Sequence, residues 1–254
     1  MKLVVLGLLL AACQSAADDF PPGGGGGGGA AGGGGGGGAV DAGTVSDGGD
    51  AGPQLTGRVC LLTDLRQVGN LKECADTGAG HWTVSLGDST AISGDDGAFT
   101  IAAPQGAGFV WHVKAGRIIT SAMAFGTDNT IPVMLVDRYQ TLVAETGLPF
   151  TEQQGSIVVR VLRGTTPVTS IVARADNDTT FDALYDGTGP DSWGGAGTGP
   201  LGMAWLPSVN VPVPARQVTV SLTTSTQPGV LAAPAVTVED QTITFVTQAL
   251  PALP

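Results

Sequence analysis

The chain has 254 residues, 11 Lys+Arg against 22 Asp+Glu, two histidines and a net charge of −11. So acidic a balance argues against nucleic acid as a partner and against electrostatic attachment to anionic lipid. Beyond residue 54 there remain 10 basic and 17 acidic residues, a net −7, which is compatible with cation binding but is also the ordinary state of a well-solvated surface.

The chain opens Met1-Lys2-Leu3-Val4-Val5-Leu6-Gly7-Leu8-Leu9-Leu10-Ala11-Ala12-Cys13. One positive charge, a short apolar run and small residues before a cysteine have the form of a secretory signal peptide over residues 1–12. The run is too short to span a bilayer, which takes about 20 apolar residues. Leu10-Ala11-Ala12-Cys13 resembles the bacterial lipobox. That resemblance implies cleavage before Cys13, acylation of Cys13 and a lipid-anchored protein of the cell envelope. Gln14 at the next position resembles the pattern for release to the outer membrane. Whether such a protein faces the periplasm or the medium is not encoded here.

With Cys13 assigned to lipid, Cys60 and Cys74 remain, and an even pair in an exported chain reads as a disulfide. It would close a loop of about 15 residues and stabilise the fold by roughly 3 kcal/mol. A metal pair is the rival reading, but it lacks close CxxC spacing and has no histidine near in sequence.

Residues 13–54 hold two unbroken runs of seven glycines, at 23–29 and 32–38. Glycine has no side chain to bury and loses most entropy on ordering. The segment therefore reads as a low-complexity, disordered linker, about 40 residues spanning roughly 35 Å as a coil. Its matches to G-x-G-x-x-G are trivial. A second match at residues 197–202 contains Pro200 and follows a loop, so it is no nucleotide signature.

From residue 55 the texture becomes short alternating runs. Trp82, Val84 and Leu86 share one face, as do Phe99 and Ile101. Phe109, Trp111 and Val113 share another, and so do Ile157, Val159 and Val161. Val218, Val220 and Leu222 alternate with Thr219, Ser221 and Thr223, and Ile243 and Phe245 with Thr242, Thr244 and Val246. Period two with one polar face marks half-buried antiparallel strands, here punctuated by Gly, Pro, Asp and Asn clusters. Within residues 136–147, Tyr139, Leu142 and Val143 are spaced i, i+3, i+4. Asp137 is placed to cap a short helix and Gly147 to end it. The expected fold is all-β: two tandem small antiparallel β-sandwich (transthyretin-like or Ig-like) domains, at 55–136 and 150–254. A short helix and connector at 137–149 joins them.

Two stretches resemble carboxypeptidase-regulatory-like domains, the transthyretin-like modules of many exported bacterial proteins. In the first, Thr56-Gly57-Arg58-Val59 resembles the opening strand, and Asp95-Asp96-Gly97-Ala98-Phe99 the family's Asp-x-Gly-x-Phe turn. In the second, Gly155-Ser156-Ile157-Val158-Val159 opens similarly, and Gly202-Met203-Ala204-Trp205-Leu206-Pro207 fits the central strand. The segment between Cys60 and Cys74 departs from the family's tight turn, and the second stretch lacks the Asp-x-Gly-x-Phe turn. The resemblance implies a non-catalytic accessory module, not a peptidase.

No catalytic set emerges: there is no HExxH, GxSxG or CxxC, and spacing does not bring His81 and His112 together. The expectation is therefore not an enzyme, with no cofactor and no metal, and a structural or protein-interaction role toward an unknown envelope partner. The alternative is a carbohydrate-, peptide- or calcium-binding module using residues 176–193. That stretch has carboxylates but no basic residue, which suits calcium, yet its spacing is not that of an EF-hand. The candidate contacts are Asp182, Tyr185, Asp186, Asp191 and Trp193, the two aromatics being suited to stacking on a sugar. The competing reading is a solvated connection whose aromatics tuck onto the sandwich.

Overall fold

The computed structural model describes residues 52–73, 80–124, 126, 129–148, 151–176, 182–187, 192–212, 214–224 and 229–252. The signal peptide, Cys13, the glycine runs, Cys74 and Asp191 lie outside the described residues. The first half contains β1 (Gln54–Leu62), a 3-10 helix (Leu65–Glu73), β2 (Thr83–Leu86), β3 (Ser89–Ile92), β4 (Ala98–Ala102), β5 (Val110–Lys114), β6 (Ile118–Ala124) and β7 (Thr130–Leu135). After α1 (Val136–Glu145), the second half begins with β8 (Gln154–Arg163), β9 (Thr166–Pro167), β10 (Ile171–Ala175), β11 (Leu184–Tyr185) and β12 (Met203–Asn210). It ends with β13 (Ala215–Thr224), β14 (Val230–Ala232), β15 (Ala235–Glu239) and β16 (Thr242–Leu250).

The protein is an all-β sandwich, as the alternating runs imply. In the first half, β1 pairs with β4 and β7, and β2 with β3 and β5. These layers face each other across Val59, Val84, Leu86, Phe99, Trp111 and Val133, with the Phe99 and Trp111 rings edge-to-face at 5.4 Å. In the second half, the β11-β12-β8-β16 layer covers β10, β13 and β15. Ile157, Val159, Leu206, Val218, Val220 and Val238 fill the space between them. Alternation decides this: each strand sends every second side chain inward.

Most ladders are antiparallel, but three are parallel: β1 with β7, and β16 with both β6 and β8. The last pairing matters most. It joins the two halves in one hydrogen-bonded sheet and places β16 between neighbours on both edges. Thr242 and Thr244, expected on a polar face, are therefore buried beside Ile243 and Phe245. A third core follows, drawn from both halves: Cys60, Leu62, Leu65 and Met134 meet Val158, Met203, Trp205 and Phe245, with α1 packed among them. Residues Gly48–Pro254 thus cluster as one unit. The halves at 55–136 and 150–254 keep their own inner cores yet do not part at the connector.

Helix α1 buries the expected stripe of Tyr139, Leu142 and Val143. Its start differs from expectation. Leu135 is the N-cap, without any side-chain cap, and Asp137 lies inside the first turn. The Val136 N–H instead donates to the Arg117 carbonyl, at 3.0 Å. The end is as expected: Gly147 has φ +74°, its N–H donates to Ala144 O at 3.0 Å, and Leu148 N–H donates to Val143 O at 3.2 Å. This pair of bonds is the Schellman arrangement, and it needs a residue tolerant of the left-handed region. Leu148 then packs on the shared core.

The β15 backbone comes close to Gly155 of β8. A Cβ there would overlap the Val238 side chain and lie 2.5 Å from the Glu239 carbonyl oxygen. Gly155→Ala is expected to cost about 1–3 kcal/mol in chemical denaturation, because backbone must move to admit the methyl group. An unchanged midpoint would show that β15 shifts freely.

Candidate functional site

Of the residues singled out between 176 and 193, Tyr185, Asp186 and Trp193 come together, and their polar groups are engaged chiefly by the protein itself. Asp186 follows β11 and is only 1% exposed. Its Oδ1 accepts the N–H groups of Gly199 (2.8 Å) and Met203 (2.7 Å), and its Oδ2 accepts that of Leu201 (2.6 Å). The carboxylate therefore ties the turn that feeds β12. The fit is close, since a Cβ on Gly199 would overlap the Asp186 carbonyl oxygen. Tyr185 reaches under β10: its phenol accepts the Ala173 N–H at 3.1 Å and donates to the Ala173 carbonyl at 3.4 Å. Burial raises the Tyr185 phenol above its ordinary value, opposed by the Ala173 hydrogen bond.

Trp193 pairs with Asp186 in an isolated β-bridge, and Gly194 N–H donates to Tyr185 O at 2.7 Å. The half-buried Trp193 ring lies 5.3 Å from that of Trp205. On the Arg66 side, the guanidinium stands 5.9 Å from the Trp193 ring centroid. Arg66 comes from the 3-10 helix of the first half and is 6% exposed. It forms a fork on Asp64, with Nε at 3.0 Å from each carboxylate oxygen, and its Nη1 donates to Ser192 O at 3.2 Å. Burying a charge demands such pairing. Trp205 continues the series toward α1: its ring is 6.1 Å from that of Tyr139, and its Nε1 donates to Ser156 Oγ at 2.8 Å. Burial pushes the Tyr139 phenol up to about 12, against the opposing hydrogen bonds of Ser156 and Trp205.

The arrangement acts as a clasp between the halves. Arg66 and Trp205 were not singled out from the sequence as site residues; a lone arginine in a loop carries no signal of a tryptophan 127 positions away. Of the five candidate contacts, only Asp182 is both described and exposed. The Asp186 oxygens and the Tyr185 phenol are already engaged within the protein, which leaves Asp182 and the half-buried Trp193 ring as the described candidates for a ligand at this stretch. Among the described residues no group of three or more His, Cys, Asp or Glu side chains is placed to hold a metal ion.

The histidines stay apart in their partnerships. His81, at φ +63°, has Nε2 2.9 Å from Asp95 on the open surface. His112 on β5 has Nε2 2.7 Å from Glu239 Oε1 on β15. The Asp95-Asp96 pair serves the turn: Ala98 N–H donates to Asp96 Oδ1 at 3.0 Å, and Gly97 has φ +83°. Among the described residues no helix is long and apolar enough to cross a membrane.

No family model matches the chain, and no curated protein matches it significantly. Among solved structures it is similar to the Bacillus anthracis TIE protein, at 10% identity and a TM-score of 0.26, over 68% of this chain. The chain spans 24% of that protein's length. It is also similar to GBS52, the minor pilin of Streptococcus agalactiae, at 14% identity and a TM-score of 0.26, covering 79% of this chain and 96% of that one.

Proposed function

We propose that this chain is a non-enzymatic, lipid-anchored protein of the bacterial cell envelope, probing or bracing its surroundings through a β-sandwich body on a glycine-rich tether. The observation that carries this reading is the run ending Leu10-Ala11-Ala12-Cys13 directly before a linker that has nothing to bury. It is supported by the way the polar groups of the body are spent: Asp186 on three backbone N–H groups, Tyr185 on Ala173, His112 on Glu239. The further reading of the body as carboxypeptidase-regulatory-like modules rests on the Asp96–Gly97 turn leading into β4.

Cys13→Ser is expected to move the protein from the membrane fraction to the soluble one and to abolish lipid labelling. Unchanged partitioning would overturn the anchor. Surface protease shaving of intact cells, followed by pull-down, separates a periplasmic from an outward-facing body and recovers its partner.

The same reading includes a Cys60–Cys74 disulfide. Cys60 is 1% exposed, in the core shared by the two halves. Non-reducing mass mapping of protein taken from the envelope should give one linked peptide pair. Two free thiols would refute it.

A further inference from the structure

We infer that His112 and Glu239 form a pH-operated latch between the two halves of the fold. The two residues lie 127 positions apart, on the outward side of β5 and at the end of β15, with Nε2 and Oε1 2.7 Å apart. Their side chains are 24% and 26% exposed, so the pair is sheltered yet reachable by protons from solvent. Glu239 stands at the wall of a cleft of about 500 Å³, lined from both halves by Lys114, Thr120, Gln153, Pro212, Glu239 and Asp240. Among the described lining residues Lys114, Glu239 and Asp240 are the charged ones: β5 offers the cation, β15 and its turn the carboxylates, and β6 and β16 only Thr120 and Thr242.

One protonation event opens the latch. As pH falls, Glu239 takes up a proton and ceases to be a charged acceptor. Its carboxyl is held below the ordinary range, first by the His112 hydrogen bond and then by the charges of His112 and Lys114, with burial opposing. A depressed carboxyl contributes stability that is present above its unfolded value and lost as pH falls through its folded value. A hydrogen bond to a charged carboxylate is roughly twice as strong as one to a neutral group. The latch is therefore held above the Glu239 titration and slackens as pH falls through it. Slackening it lets the end of β15 part from β5 and widens the cleft.

The test is a double-mutant cycle of the full chain, with His112→Gln, Glu239→Gln and both, unfolded in urea across about pH 3 to 9. The coupling between the two positions should be largest above the Glu239 titration and fall by about half or more at the acid end. Amide exchange over residues 110–114 and 235–239 should accelerate in Glu239→Gln at neutral pH, and not at the acid end. Coupling that is absent, or flat across the range, would overturn the proposal, since a merely structural contact need not follow proton uptake. Should His112→Gln fail to fold, the acid-side loss of stability gives a second reading. That loss must be smaller in Glu239→Gln than in the unsubstituted protein, and equal losses would equally overturn the latch.

Discussion

Asp186→Ala is expected to lower the unfolding free energy by about 3 kcal/mol or more, because each buried donor left without an acceptor costs about 1–3 kcal/mol. Three donors are at stake, the N–H groups of Gly199, Leu201 and Met203, and the site is too closed for water to replace the carboxylate without rearrangement. The effect should spread. The tied turn sets where Met203 begins β12, and the Asp186–Trp193 bridge sets where the Trp193 ring lies against Trp205. Asp186→Asn keeps the shape but replaces one acceptor oxygen by a donor that faces the backbone N–H groups, so it should recover only part of the loss. Gly199→Ala strikes the same contact from the other side, since its new Cβ would overlap the Asp186 carbonyl. Urea denaturation followed by tryptophan fluorescence reads all three variants. A loss below about 1 kcal/mol for Asp186→Ala would mean that the turn is held by something other than its carboxylate.

Trp205→Ala should be of similar or larger size, about 3–5 kcal/mol, as for other fully buried aromatic truncations. Trp205 is completely buried and lies on the face of β12 that points away from the second-half core, toward α1 and the first half. Its removal deletes the edge contact with Tyr139, the contact with Trp193 and the hydrogen bond to Ser156. The cavity opens in the core shared by the two halves, while the inner cores around Trp111 and around Ile157 stay filled. Calorimetry should therefore show one transition in the unsubstituted protein and two resolved transitions in Trp205→Ala. Trp205→Phe, which retains most of the packing but removes the indole donor to Ser156, should cost about 1 kcal/mol and keep one transition. A single sharp transition in Trp205→Ala, barely displaced, would show that the shared core does not couple the halves.

A body whose halves unfold together yields as one piece. Severing the shared core leaves two small sandwiches, each with fewer buried side chains to resist. The hydrogen-bonded run through β6, β16 and β8 is the other tie, and its parallel register carries backbone bonds along the length of β16.

What was legible in the chain itself is what short-range periodicity encodes. Alternation at Trp111 and Val113, at Ile157, Val159 and Val161, and at Val218, Val220 and Leu222 identified strands and their buried faces, because a strand turns its side chains over at every residue. The stripe of Tyr139, Leu142 and Val143 with Gly147 behind it marked α1 and its end, because a helix brings i, i+3 and i+4 to one side. The turn at Asp96 and Gly97 could be read for the same local reason. Partners distant in sequence were decided only by tertiary structure. The same alternation is satisfied whether β16 lies at an edge or between two strands; only its pairing with both β6 and β8 buries Thr242 and Thr244. A carboxylate in a glycine-rich loop looks alike whether it waits for a cation or accepts three backbone N–H groups, and the path of residues 199–203 made Asp186 the second kind. Arg66 meeting Trp193, Trp205 meeting Tyr139, and His112 meeting Glu239 each depend on which surfaces the two halves present to one another, and no spacing within a strand or helix specifies that choice.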